Sequence, residues 1–135
     1  MGITEKLARF AIETPGDAIP PAAIESAKLK YLDTIGVMVA GSRHPAAAIS
    51  LDLARYLGGN PRASIIGHAD RTSIELAGYV NGVSAHALEY DDYTRMVTHL
   101  SVSMVPGTLA LAEDLALSGE QMLERHRFSG CHPRG

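Results

Sequence analysis

Residues 20–41 place the tightest constraint on the fold. After Pro20 and Pro21, the residues Ala23, Ala27, Tyr31, Ile35 and Met38 recur at helical spacing. Ile24, Leu32, Val39 and Ala40 widen that face until apolar side chains nearly encircle the helix. Proline is tolerated in a first helical turn, and Gly41-Ser42 supplies a stop. A helix apolar on almost every side has to be covered on most of them. The run therefore predicts a buried helix among other helices. Composition agrees: aromatics are 5%, tryptophan is absent and alanine is abundant. Alanine favours helices, whereas strands favour β-branched and aromatic residues.

The other elements are placed around that helix. Thr4 is a candidate cap for a first helix ending near Thr14, before Pro15-Gly16-Asp17. A third helix is predicted from about Pro45 to Leu57, stopped by Gly58-Gly59. Ala63 to Gly67 is the one strand-like piece. Thr72 or Ser73 can cap a fourth helix carrying Ile74, Ala77, Val80, Asn81, Ala85 and Leu88. Val105-Pro106 is read as the start of a helix through Leu117, and Ser118 to Gln121 as a further helix start. The predicted class is all-α, with at most one short strand.

The 135 residues suffice for one domain with a core. With a net charge of -3 there is no basic footprint for nucleic acid or an anionic membrane. No stretch reaches the roughly 20 apolar residues of a membrane span. A single cysteine, Cys131, excludes an intrachain disulfide framework. Together these features predict an intracellular soluble protein. There is no phosphate-binding glycine loop, dinucleotide fingerprint or nucleophile elbow.

The chemistry-bearing residues concentrate between His86 and His99. Glu89, Asp91 and Asp92 bring three carboxylates, His86 and His99 two imidazoles, with Tyr90, Tyr93, Thr94, Arg95 and Thr98 between them. Crowded carboxylates repel, so one can be driven to hold a proton, and an adjacent imidazole can move it. The same residues also fit a solvated acidic loop. Asp91, Asp92 and His99 are acceptable ligand types for a divalent ion, but no zincin helix or calcium loop surrounds them. His126, Cys131 and His132 are ligand types too few to form a site. Asp33 and Thr34 lie within the apolar helix, where an aspartate needs a partner.

An ordered set of motifs runs through the chain. It comprises Leu32-Asp33-Thr34-Ile35-Gly36, Tyr79-Val80-Asn81-Gly82, Ala85-His86-Ala87-Leu88-Glu89-Tyr90-Asp91-Asp92, Thr98-His99, and Val105-Pro106 with Leu109-Ala110-Leu111-Ala112-Glu113. In this order the set resembles the MmgE/PrpD family, which includes 2-methylcitrate dehydratase, cis-aconitate decarboxylase and iminodisuccinate epimerase. The resemblance implies a cytoplasmic or mitochondrial homodimer, with cytoplasm expected here. It implies a helical domain built from both ends of a longer chain, with an α/β lid. It further implies a lyase or isomerase acting on a small di- or tricarboxylic acid, without an iron–sulfur cluster; no cofactor or metal is expected.

Carried over residue by residue, His99 matches the family's active-site histidine, and Asp91 and Asp92 its paired aspartates. The implied catalytic residues are His99 and Asp91, with Glu89, Asp92 and Tyr93 lining the substrate pocket. Glu89 stands where many members have aspartate, Tyr93 where many have threonine, and Leu100 where proline usually follows the histidine. Resemblance and apolar periodicity both fade near Leu123. Residues 1–123 are therefore expected to be the N-terminal part of the helical domain, and 124–135 an unrelated tail arising from a frameshift or truncation. The alternative function is a catalytically inactive helical association module, driven by apolar faces left uncovered.

Overall fold

The computed structural model describes residues 2–93 and 99–125. Thr94, Arg95, Thr98, His126, Cys131 and His132 lie outside the described residues. The elements run α1 (Ile3–Glu13), a 3-10 turn (Gly16–Ala18), α2 (Pro21–Gly41), α3 (Pro45–Leu57), β1 (Ala63–Ser64), β2 (Arg71–Thr72), α4 (Ile74–His86), α5 (Ser101–Asp114) and α6 (Gly119–Arg125). The chain is mainly helical, as its alanine-rich composition predicts. β1 and β2 form a two-stranded antiparallel pair, Ala63 opposite Thr72 and Ser64 opposite Arg71. That corrects the expectation of at most one short strand. No helix among the described residues is long and apolar enough to cross a membrane.

α4 is the centre of the fold, packed against α2, α3 and α5. Small residues permit this. A methyl group at Gly41 would lie 2.0 Å from the Ser84 carbonyl oxygen, so only glycine lets α2 cross α4 there. Gly78 faces the Gly107 backbone of α5, where an added Cβ would make ordinary contact at 3.4 Å. Tyr31, Val37 and Met38 of α2 pack with Ala85 and Val105, while Leu51 and Ala54 of α3 pack with Ile65 and Val80. Asn81, 1% exposed, ties the β1 segment to α4: its Oδ1 accepts from Ile66 N at 2.9 Å and its Nδ2 donates to Ser64 O at 3.1 Å. Glu113 of α5 accepts from Ser64 N, Ser64 Oγ and Arg71 Nη1 at 2.5–2.7 Å, fixing the strand pair from the other side. Burial alone would raise the Glu113 carboxyl, but these donors outweigh it and hold its pKa below the usual value.

Several expectations shift. Helix α1 begins at Ile3 behind Gly2 rather than behind Thr4. Asp33 is exposed, not a buried aspartate in need of a partner, whereas its neighbour Thr34 is buried and returns its hydroxyl to Lys30 O at 2.7 Å. The encircling apolar surface of α2 is covered on one side only. Tyr31, Thr34, Val37 and Met38 are buried, while Leu29, Leu32 and Val39 are 66%, 70% and 53% exposed. Helix α5 begins at Ser101, four residues before Val105, so Pro106 lies inside it. Proline at the sixth position removes the N–H that would serve Val102 O, one bond only, and Val105 and Pro106 are both buried in exchange.

Candidate functional site

The site forms where α4 ends and α5 begins. Ser73 caps α4, its hydroxyl accepting from Leu76 N, and the helix runs to His86. The chain then turns sharply. Glu89 N donates to His86 O at 3.0 Å, and Glu89 takes a left-handed backbone conformation, with φ 49°. That conformation disfavours residues with long side chains and is tolerated better by glycine, asparagine and aspartate. The turn brings Asp91 and Asp92 back beneath the helix ends.

Asp91 is the pivot. Its side chain is 1% exposed, and its two oxygens face two imidazoles: Oδ1 lies 3.1 Å from His86 Nδ1, and Oδ2 lies 2.7 Å from His99 Nδ1. A carboxylate only accepts hydrogen bonds, so in that state both Nδ1 atoms carry protons and donate. In the neutral rings Nε2 then carries the lone pair, and each ring is held in one tautomer. The rings meet edge to face, with centroids 4.7 Å apart. Tyr93 also packs edge to face on His99, with centroids 5.6 Å apart. His99 is part-buried and His86 about half exposed, so the pair sits at the mouth of the site.

Asp92 points elsewhere. Its Oδ1 accepts from Ser101 N at 3.2 Å, satisfying a free N–H at the start of α5, and its Oδ2 pairs with Lys30 Nζ of α2. An anion at a helix N-terminus is also favoured by the helix dipole. Burial by itself would raise the Asp92 carboxyl, but Lys30 and Ser101 N more than compensate and hold its pKa below the usual carboxylate value. The expectation that crowding drives a carboxyl up is therefore not met at Asp92. The two neighbouring aspartates do different work: one holds imidazoles, the other fixes the loop to α2 and α5.

The structure thus brings together Asp91, His99 and Tyr93, and adds His86. It turns Asp92 away from them and leaves the Glu89 side chain exposed. The ligand-type group among the described residues is His86, Asp91 and His99, with donor atoms all within 4.8 Å of one another, rather than Asp91, Asp92 and His99. Lys30 was not singled out by the sequence. It lies 62 positions from Asp92, and only the packing of α2 against the α4–α5 region brings the two together.

The MmgE/PrpD N-terminal domain model matches residues 5–126. The chain belongs to the MmgE/PrpD family. Among curated relatives, the cis-aconitate decarboxylase of Homo sapiens is 31% identical over 96 residues, covering 70% of this chain and 20% of that protein. The cis-aconitate decarboxylase of Mus musculus is 26% identical over 114 residues, covering 84% of this chain and 23% of that protein. The chain thus spans about a fifth of the length of these relatives. The whole family match includes the site: His86, Asp91 and His99 all fall within it.

Proposed function

We propose that this MmgE/PrpD chain carries the proton-transfer portion of a lyase or isomerase acting on small di- or tricarboxylic acids. The observation that carries the reading is the buried Asp91 carboxylate shared by two imidazole Nδ1 atoms. His99 Nε2 is the base that takes a proton from the carbon next to a substrate carboxylate. Asp91 orients the ring and stabilises the imidazolium that results. Tyr93 lines the same pocket by its ring contact with His99. The electrons left behind form an enediolate, whose charge needs donors or cations. Lys30 is held by Asp92, which turns away from the imidazoles. Stabilisation of the enediolate therefore falls to groups outside the described residues. Dehydration resembling that of 2-methylcitrate dehydratase begins with this proton removal; in decarboxylation, as named for the relatives, the electron pair is left by departing CO2 instead, and a protonated His99 Nε2 returns a proton to that carbon. The reading covers both.

A second reading is favoured by the apolar surface. Leu29, Leu32 and Val39 on α2, and Ile3, Leu7 and Phe10 on α1, are all more than half exposed. Such patches drive association. A thermal-shift series with cis-aconitate and 2-methylcitrate, run with size-exclusion chromatography, separates the two. A monodisperse species stabilised by these acids, with the stabilisation lost in His99→Ala, supports the proton-transfer site. Oligomers indifferent to every acid support a helical association module.

A further inference from the structure

We infer that His86 is a positioning residue for His99: it occupies one oxygen of Asp91 and so leaves the other aimed at the ring that acts as base. The inference rests on the proton-transfer reading and gives a role to the second imidazole, which that reading leaves unused. The Asp91 side chain is 1% exposed, so solvent scarcely reaches its oxygens. Among the described residues, Oδ1 meets His86 Nδ1 at 3.1 Å and Oδ2 meets His99 Nδ1 at 2.7 Å. A buried acceptor left without a donor costs more than a typical hydrogen bond returns. Without His86, Oδ1 becomes such an acceptor. The carboxylate then has two ways to recover. It can swing so that both oxygens compete for His99, or it can take up a proton and donate it to His99 Nδ1, which puts the ring's own proton on Nε2. The first loosens the aim of the ring, and the second reverses the tautomer on which the base depends.

The fold fixes His86 where this role needs it. It is the last residue of α4, and its carbonyl accepts from Glu89 N at 3.0 Å. Two residues earlier, the Ser84 carbonyl lies against Gly41 of α2, which holds the end of the helix in place. The His86 ring meets His99 edge to face at 4.7 Å and so also limits how His99 can turn. About half of the His86 side chain is exposed, so little core packing depends on it. Its removal therefore acts through the bond to Asp91 rather than through a cavity.

Long-range 1H–15N spectra of the histidine rings test the inference, recorded for the 135-residue chain, His86→Leu and His86→Asn. Asparagine puts an amide N–H where the imidazole Nδ1–H stands but has no ring, whereas leucine offers no donor. His99 is expected to be protonated at Nδ1 in the parent chain and in His86→Asn. In His86→Leu an Nε2-protonated fraction is expected, the ratio of Nδ1–H to Nε2–H forms falling about tenfold, the worth of roughly one hydrogen bond. Rescue by asparagine is the result that a merely space-filling ring would not give. Circular dichroism checks that each variant is folded. If His86→Leu is not, the parent chain decides, since a His86 protonated at Nε2 alone cannot donate to Asp91 and overturns the inference. A folded His86→Leu in which His99 stays wholly Nδ1-protonated also overturns it, as does a His86→Asn spectrum that matches His86→Leu. Either result leaves the proton-transfer reading standing, because Asp91 then holds His99 without a donor from residue 86. A His99 protonated at Nε2 in the parent chain overturns both.

Discussion

Replacement of Lys30 by methionine is the sharpest probe of how the site is held. Methionine keeps most of the apolar stem and removes the ammonium. The Asp92 side chain is 12% exposed and Lys30 45%, so the pair is neither a surface bridge nor a fully buried one. Exposed pairs contribute about 0–1 kcal/mol, and breaking a buried pair costs about 3–5 kcal/mol. Because Lys30 stays well hydrated and Asp92 keeps its bond from Ser101 N, the expected loss is about 1–2 kcal/mol. For 135 residues this lowers the melting temperature by roughly 4–7 °C. The pH dependence gives a second handle. The folded Asp92 carboxyl has a lowered pKa, with Lys30 among its causes. Its contribution to stability is therefore complete above the unfolded aspartate value of about 3.9 and is lost as pH falls through the lower folded value. The gap between parent and Lys30→Met is expected to be full at neutral pH and to narrow below about pH 4. Urea unfolding at several pH values measures it, with Lys30→Arg expected to recover part of the loss. A gap that is absent, or that stays constant down to acid pH, would refute the assignment of Asp92 to Lys30.

Three further substitutions test the scaffold. Asn81→Leu strands Ile66 N–H and Ser64 C=O and is expected to cost about 2–3 kcal/mol in urea unfolding; a loss under about 0.5 kcal/mol would count against the tie. Gly41→Ala puts a methyl group against the Ser84 carbonyl and forces α2 from α4, lowering stability by about 2–3 kcal/mol in the same assay. Glu89→Gly relieves a left-handed residue in the turn before Asp91 and is expected to raise stability by about 0.5–1 kcal/mol, whereas a net loss would mean that the Glu89 side chain matters to the folded loop.

What the sequence disclosed follows from how local each signal is. Pro45 and Gly58 mark the ends of α3, and Ser73 marks the start of α4, because prolines, glycines and hydroxyl caps act within one turn. The start of α5 was misplaced because the acceptor for Ser101 N comes from Asp92, nine residues earlier and across a loop, leaving no local cap to read. Asp91 and His99 stood out as residue types. Which aspartate faces the imidazoles could not be read from adjacent positions, since the answer depends on the direction of one loop. Lys30 and the half-exposed α2 were invisible for a related reason: apolar patterning says which faces want cover, not which faces this stretch of chain covers.

The central claim is that Asp91 holds His99 with its proton on Nδ1 and leaves Nε2 as the base. Long-range 1H–15N correlation spectra of the histidine rings, recorded above the pH at which the imidazoles are protonated, read the tautomer directly. The account predicts His99 and His86 both protonated at Nδ1, with at least one of the two switched to Nε2 in Asp91→Asn, whose single amide oxygen can accept from only one ring. A His99 protonated at Nε2 in the parent chain, or both tautomers unchanged by Asp91→Asn, would contradict it.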